Sequence, residues 1–359
     1  MSDHPPASAD PSSVRQWNER VVVATFTDGQ PHRVSDTAAA TGLTPASVRA
    51  VLGTLGAKGW IAARDPARAG LGRPARTYQL ATPDAVVLGV DLGGHAVRVV
   101  SADLAGQVQV VGEAAVPPGD VDGTRAVIAE LLVGVPVERV WTTGLAVSGA
   151  LGADGTLVRS LALGHLANSR PAEVFADVLP GDVLTCHDTR SALWAEHESG
   201  AARGVRDVML VSLGRRPSIA LLLDGQLYVG AHGSAGELSL NELLPATSSD
   251  HAAAPETARA FLAGITPQIA YAVGLVDPSL VVVGGAPASV FAPSLPGFGA
   301  ALASRLQSPP EVVASALDQF AAATGACLLA RRRVFAVLLH APDGVAALTQ
   351  EGFLAAARP

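Results

Sequence analysis

Apolar residues return at helical spacing from Val14 to Thr27, where Val14, Trp17, Val21, Val22, Ala24 and Thr25 share one face. A short helix follows over Val34–Thr41, and Gly42 suits the left-handed turn that ends it. Thr44 is placed to cap the next helix, with Pro45 at its first position, where a missing N–H costs nothing. That helix runs from Ala46 to Lys58 and turns Val48, Val51, Leu52 and Leu55 inward. Two short strands, Trp60–Ala62 and Thr77–Leu80, flank the basic, Gly/Pro-rich stretch Arg64–Arg76. Three helices and a hairpin, with a four-residue turn between the second and third helices, predict a winged helix-turn-helix over residues 14–82.

Past Ala81-Thr82-Pro83-Asp84, which reads as a linker, the hydrophobic pattern changes to buried strands. Ala85–Asp91, Ala96–Ala102, Val108–Ala115 and Val140–Val147 are predicted strands, with a helix over Gly123–Val133. Further strands at Val183–Thr185, Val208–Leu213, Ile219–Leu223 and Leu280–Val283 alternate with helices at Ala192–Gly200 and Glu256–Val276. The alternation predicts an α/β body over residues 83–359. Charges such as Arg206, Asp207 and Asp224 punctuate the most apolar region, so no membrane-spanning helix is expected. Residues 1–13 are rich in Pro, Ser and Asp and hold no apolar run, which predicts a disordered tail and no signal peptide.

Composition changes this picture in two places. The 359 residues carry a net charge of −7, which on average disfavours nucleic acid. Residues 1–82, however, hold nine basic and six acidic side chains, against sixteen and twenty-six in the rest, so a +3 module precedes a −10 body. In that module Thr44, Ala46, Ser47 and Arg49 lie at the N-terminal end and polar face of the third helix. Short or forked side chains there can approach base edges and phosphates in a major groove. Arg68, Arg73 and Arg76 at the hairpin tip suit phosphate neutralisation or a narrow minor groove. A small helical domain that docks protein partners, with solvated arginines, is the competing reading. The two cysteines, Cys186 and Cys327, support neither a disulfide framework nor a Cys-rich zinc site, and suit a reducing cytoplasm.

Several stretches together carry a resemblance. Leu71-Gly72-Arg73-Pro74-Ala75 in the wing and the helices before it resemble the transcriptional regulators of the ROK family (repressors, open reading frames, sugar kinases). Leu88–Gly94, Gly144–Gly149, His187-Asp188, Asp224-Gly225, Gly230, Gly233–Glu237 and Asp277–Gly285 resemble that family's body in order and spacing. The resemblance runs from about Val14 to Leu329 and implies a two-lobed actin-like ATPase (ribonuclease H-like) body. Its lobes would span about 86–186 plus the C-terminal helix, and about 187–330. It also adds Gly72 and Pro74 to the expected DNA-binding residues.

The departures point away from kinase chemistry. His95 stands where the family's sugar kinases usually have Thr after paired glycines, and bulk there replaces a phosphate-binding hydroxyl. The second phosphate loop, glycine-rich in the kinases, reads Gly214-Arg215-Arg216-Pro217-Ser218, which removes room for close approach to phosphate. Asp188 matches the family's catalytic base, but the preceding Asn is His187; Glu237 matches a sugar contact, but the His expected three residues later is Leu240. The family's Cys-rich zinc loop is missing from Asn241–Ala254, and no metal or cofactor is expected. His232, His251 and Glu237 are conceivable ligands, with solvated histidines the alternative.

The expectation is therefore a DNA-binding regulator without enzyme activity, a repressor of carbohydrate-metabolism genes, on a palindromic operator. It would act as a homodimer or homotetramer, with no membrane partner. A sugar or sugar-phosphate effector would meet Asn168, His187, Asp188 and Glu237 in the interlobe cleft, with His165 as a candidate neighbour. Asp188 has a second reading as the N-cap of the helix before Ser191–Glu196, and Arg215-Arg216 as a solvated turn. An ATP-dependent sugar kinase with an extra domain, and a regulator whose body binds a protein, are the two alternatives.

Overall fold

The computed structural model describes residues 11–64, 76–81, 84–213, 217–237, 255–285, 288–341 and 344–357. The N-terminal unit is built from α1 (Pro11–Ala24), β1 (His32–Arg33), α2 (Val34–Thr41), α3 (Pro45–Ala57), β2 (Ile61–Arg64) and β3 (Thr77–Leu80). Pro11–Ser13, expected in the disordered tail, form the first turn of α1 instead; proline at a helix start loses no hydrogen bond. Gly42 ends α2 with φ 71°, and the Thr44 hydroxyl caps α3 by accepting from the Ser47 N–H. β2 and β3 pair antiparallel as the predicted hairpin, and β1, too short to show a period, adds a third strand in the order β1-β3-β2. The arrangement is compatible with a winged helix-turn-helix.

The body opens with β4 (Val86–Leu92), β5 (Ala96–Ala102), β6 (Val108–Ala115), α4 (Val121–Leu131) and β7 (Val140–Val147). It continues through β8 (Ala150–Leu151), β9 (Leu157–Arg159), α5 (Pro171–Val174), β10 (Asp182–His187) and α6 (Asp188–Ser199). The second half holds β11 (Val208–Ser212), β12 (Ser218–Leu223), β13 (Gln226–Tyr228), α7 (Pro255–Val276), β14 (Leu280–Gly284), α8 (Ala288–Phe291), α9 (Leu295–Ala303) and β15 (Glu311–Ala314). The chain closes with α10 (Ala321–Leu339) and α11 (Gln350–Ala357).

Two five-stranded sheets share one plan. Their orders are β10-β7-β4-β5-β6 and β13-β12-β11-β14-β15. In each, the first strand pairs antiparallel with the second and parallel with the fourth, so one topology occurs twice. α6 and α10 pack on each other, and α10 lies on β4 and β7 of the first sheet. Glycines make this closeness possible. A Cβ on Gly89 or Gly144 would collide with the α10 carbonyls of Ala323 or Ala326, and one on Gly325 with the Ser191 carbonyl of α6. The expected lobe limit near residue 330 thus falls within α10.

α7 bears on the expectation of no membrane-spanning helix without overturning it. Its segment Ala258–Val276 is long and apolar enough to cross a membrane by length and composition alone. Leu262, Ile265, Ile269 and Val273 nevertheless face the second sheet's core, beside Val281 and Val283.

Candidate functional site

β10 delivers His187 at its C-terminal end, and the chain turns there directly into α6. The parallel neighbours β7 and β4 end at the same edge, which places Asp91, the penultimate residue of β4, close to this point. Glu237 arrives from the second half, fifty residues along, on a glycine-rich loop after β13. Gly233 in that loop has φ 67°, and an added Cβ would strike the Leu151 carbonyl of β8, so the two halves meet there without room for a side chain.

His187 Nε2 donates to Glu237 Oε1 at 2.7 Å, and Nδ1 lies 3.2 Å from Asp188 Oδ1. The imidazole is buried, whereas the Asp188 and Glu237 side chains are each 29% exposed. Nδ1 itself has no aligned hydrogen-bond partner among the described residues. The hydrogen bond from His187 holds the Glu237 carboxyl below the usual carboxylate range, overcoming the opposite pull of burial. Asp188 Oδ1 accepts from the Thr189 N–H at 2.6 Å, and the Thr189 hydroxyl bonds Ser218 Oγ at 2.7 Å across the halves.

Asp188 is the first residue of α6, and the N-cap position belongs to His187, which makes no side-chain cap bond. The N-cap reading of Asp188 is thereby corrected. The carboxylate instead lies at a helix N-terminus, where the aligned peptide dipoles favour negative charge.

Asp91 completes the cluster from the first sheet. Arg98 Nη1 reaches its Oδ2 at 3.2 Å, and Arg98 Nη2 reaches Glu113 Oε1 at 2.7 Å, a ladder across β4, β5 and β6. Burial, then repulsion from Asp188, pushes Asp91 up to about 7 despite the guanidinium. Arg190 donates to the carbonyls of Gly233 and Ala235 and ties α6 to the Glu237 loop. Sequence reasoning missed Arg190; its signal was the helical spacing from His187, three residues earlier.

The structure thus joins His187, Asp188 and Glu237 and leaves other candidates apart. Asn168 is exposed with φ 61°; its N–H bonds the Leu157 carbonyl, and its side chain makes no hydrogen bond to the trio among the described residues. His165 and His232 are also exposed. Arg215, Arg216, Leu240 and His251 lie outside the described residues, as do Arg68, Gly72, Arg73 and Pro74. Among the described residues no group of three or more His, Cys, Asp or Glu could hold a metal ion. Two partly exposed carboxylates, tensioned by a buried imidazole, can accept hydrogen bonds from vicinal hydroxyls.

In the N-terminal unit, Ala46 and Arg49 of α3 and its N-cap Thr44 are exposed, and Thr44 Oγ1 meets Ser47 Oγ at 2.9 Å. Arg76 is exposed just before β3.

Comparison with known proteins finds that residues 87–243 match the ROK family. The chain carries a ROK family domain. It is 30% identical over 151 residues to the N-acetylgalactosamine kinase AgaK of Shewanella sp. (strain ANA-3), covering 42% of this chain and 49% of that kinase. The chain therefore matches about half the length of this relative. A ROK family transcriptional regulator, a homolog of the E. coli MLC protein, superposes with TM-score 0.69 at 17% identity, covering 91% of this chain and 98% of that one. A ROK family glucokinase from Streptomyces griseus, solved with glucose and AMPPNP, superposes with TM-score 0.60 at 18% identity, covering 69% and 100%. At these identities the likeness establishes the fold: the body has the actin-like ATPase architecture of its ROK neighbours, with which its duplicated sheet topology agrees.

Proposed function

We propose that this chain is a ROK-type transcriptional repressor that binds DNA through its N-terminal unit and catalyses no phosphoryl transfer. The reading rests on α3. Ala46, Arg49, Ala50, Gly53 and Thr54 on its outer side are exposed, and no acidic residue stands in its first turn. A helix presenting small side chains and one Arg, with no opposing charge, fits a major groove. Thr44, Ala46, Ser47 and Arg49 would approach bases and phosphates there, while Arg68, Gly72, Arg73, Pro74 and Arg76 of the wing would reach the minor groove. The regulator-like structure accounts for 91% of this chain and the glucokinase for 69%, which also supports a functional role for the extra N-terminal unit.

On this reading residues 14–82 are the DNA-binding domain and 83–359 the sensing body. The trio His187, Asp188 and Glu237 would hold a sugar or sugar-phosphate effector. Effector binding would change lobe closure only as far as it prefers one closure state. Two copies would sit on a palindromic operator. Capture of genomic DNA fragments by the purified chain tests the proposal; enrichment of one palindrome is expected, and no enrichment would overturn it.

The curated kinase relative and the partly exposed Asp188 favour a second reading, a sugar kinase. Assay with ATP and a panel of sugars separates the two. Turnover that disappears in Asp188→Asn would establish the kinase; its absence with every sugar is the result expected of the repressor.

A further inference from the structure

We propose that His187 is a positioning residue that ties the aim of Glu237 to the closure of the two halves. Two kinds of bond hold the Glu237 loop and the strand beside it. Thr189 and Arg190, in the first turn of α6, reach Ser218 Oγ and the carbonyls of Gly233 and Ala235. α6 also packs on the second sheet, where Leu193 and Trp194 share a cluster with Leu210, Ala220 and Leu222. Those bonds therefore survive any movement that α6 makes together with that sheet. His187 is different. It is the last residue of β10, in register with Val147 of the first sheet, and its Nε2 reaches Glu237 Oε1 at 2.7 Å.

No loop separates the two attachments, because His187 ends β10 and Asp188 begins α6. A rotation of one half against the other at this junction moves the imidazole relative to Glu237, while Arg190 keeps the loop on α6. The backbone leading to Glu237 gives its carboxylate little direction of its own: Gly233 and Gly236 have φ 67° and 86°. Among the described residues the hydrogen bond that aims the carboxylate comes from His187. The ring backs the site and leaves its mouth free. Its side chain is 2% exposed, behind carboxylates that are each 29% exposed. It takes Glu237 Oε1, and the Thr189 N–H takes Asp188 Oδ1, which leaves Oε2 and Oδ2 for a ligand. Both oxygens are presented together only while the halves are closed. A polyol that bonds both therefore binds the closed arrangement best, and by linkage it favours closure by the same factor. This last step rests on the effector reading; the clasp itself does not.

Asparagine reproduces the Nδ1 end of an imidazole and glutamine the Nε2 end, so two variants separate the bond from the bulk. Amide hydrogen exchange of the full chain without ligand is the measurement. His187→Asn should quicken exchange by about tenfold or more, the effect of losing one charge-assisted hydrogen bond. The quickening should appear in residues 230–237 and also in β8 and β9 of the first half, where the Leu151 carbonyl abuts Gly233. His187→Gln should restore the wild-type rates. Quickening in the loop alone would mean that His187 steadies Glu237 without governing closure, and would overturn the proposal. So would His187→Gln exchanging like His187→Asn, or His187→Asn exchanging like wild type. If His187→Asn fails to fold, nitrogen-15 NMR of the ring decides. Nε2 should carry a proton in the ligand-free chain and its resonance should move in Glu237→Gln; an unmoved resonance would contradict the bond. Calorimetric titration with glucose and galactose tests the ligand step. A hexose that binds wild type should bind His187→Asn about tenfold more weakly and recover in His187→Gln. Equal affinity for all three chains would overturn the coupling, whereas no heat with wild type counts against the effector reading and leaves the clasp to the exchange result.

Discussion

The seam between the N-terminal unit and the first sheet differs in kind from the polar contact of β10 and α6 with the Glu237 loop. The seam is an apolar core: Val22, Phe26, Leu55 and Trp60 share one cluster with Val87, Val100 and Trp141, with Phe335 and Leu338 of α10, and with Phe353 of α11. Its polar bonds are directional and buried or half-buried. Trp60 Nε1 donates to the Ala346 carbonyl at 2.7 Å, Arg20 Nε to Leu339 at 2.8 Å, and Arg331 to both Thr27 and Leu104. Where β10 meets the Glu237 loop the halves are held instead by carboxylates, an imidazole and a guanidinium, while Leu193, Trp194 and Leu328 of α6 and α10 carry the apolar contact to the second sheet. Close packing resists continuous deformation, whereas a polar, partly solvated contact can exchange partners. Close packing predicts that the N-terminal unit and the first sheet move as one, with any adjustment falling at the contact of His187 with Glu237.

The largest effect should come from breaking the seam. Trp60→Ala removes a fully buried indole and should cost about 3–5 kcal/mol, measured by urea denaturation. If the seam is one body, probes in the N-terminal unit and in the first sheet shift together. Separate melting of the N-terminal unit would refute it.

The cleft gives a pH-dependent effect. Because burial pushes the folded Asp91 up to about 7, while an ordinary aspartate titrates at 3.8, the folded chain keeps a proton that the unfolded chain releases between those values. Stability on this term falls as pH rises from about 4 to about 7, then stays level. Asp91→Asn should remove the slope and gain at most about 4 kcal/mol at pH 8, at roughly 1.4 kcal/mol per pH unit. An unchanged slope in the variant would assign the titration to another group.

A smaller loss, about 2–3 kcal/mol, is expected for Arg331→Ala, which strands the buried Leu104 carbonyl and the half-buried Thr27 carbonyl and unstacks the guanidinium from Phe335. Amide exchange should quicken near Thr27 and near Leu104 alike. Quickening at one end alone would mean that Arg331 does not bridge the two.

Much of this fold could be read from the chain, for local reasons. α2, β5, β6 and β7 coincide with their predicted limits because each is a short period bounded by turn residues. The Thr44 cap and the Gly42 turn are written in single side chains. α10 was illegible in its extent because it is buried on nearly all sides, from Ala323 to Leu338, so no apolar stripe marks it. The seam was illegible too: Ala81–Asp84 has the composition of a linker, and nothing local reveals that Trp60 finds its acceptor 286 residues later. In the candidate site, His187, Asp188 and Glu237 stood out as residues, but the bond between the first and last depends on how the two halves close.

DNA binding by α3 is tested most directly by fluorescence anisotropy of the full chain on a genomic fragment that it enriches, comparing wild type with Arg49→Ala over a salt series. A loss of about 1–3 kcal/mol with relaxed sequence preference is expected if Arg49 reads a base edge, on top of an affinity that falls steeply with salt. Equal affinity of the two chains for that fragment, or wild-type binding indifferent to salt, would contradict it.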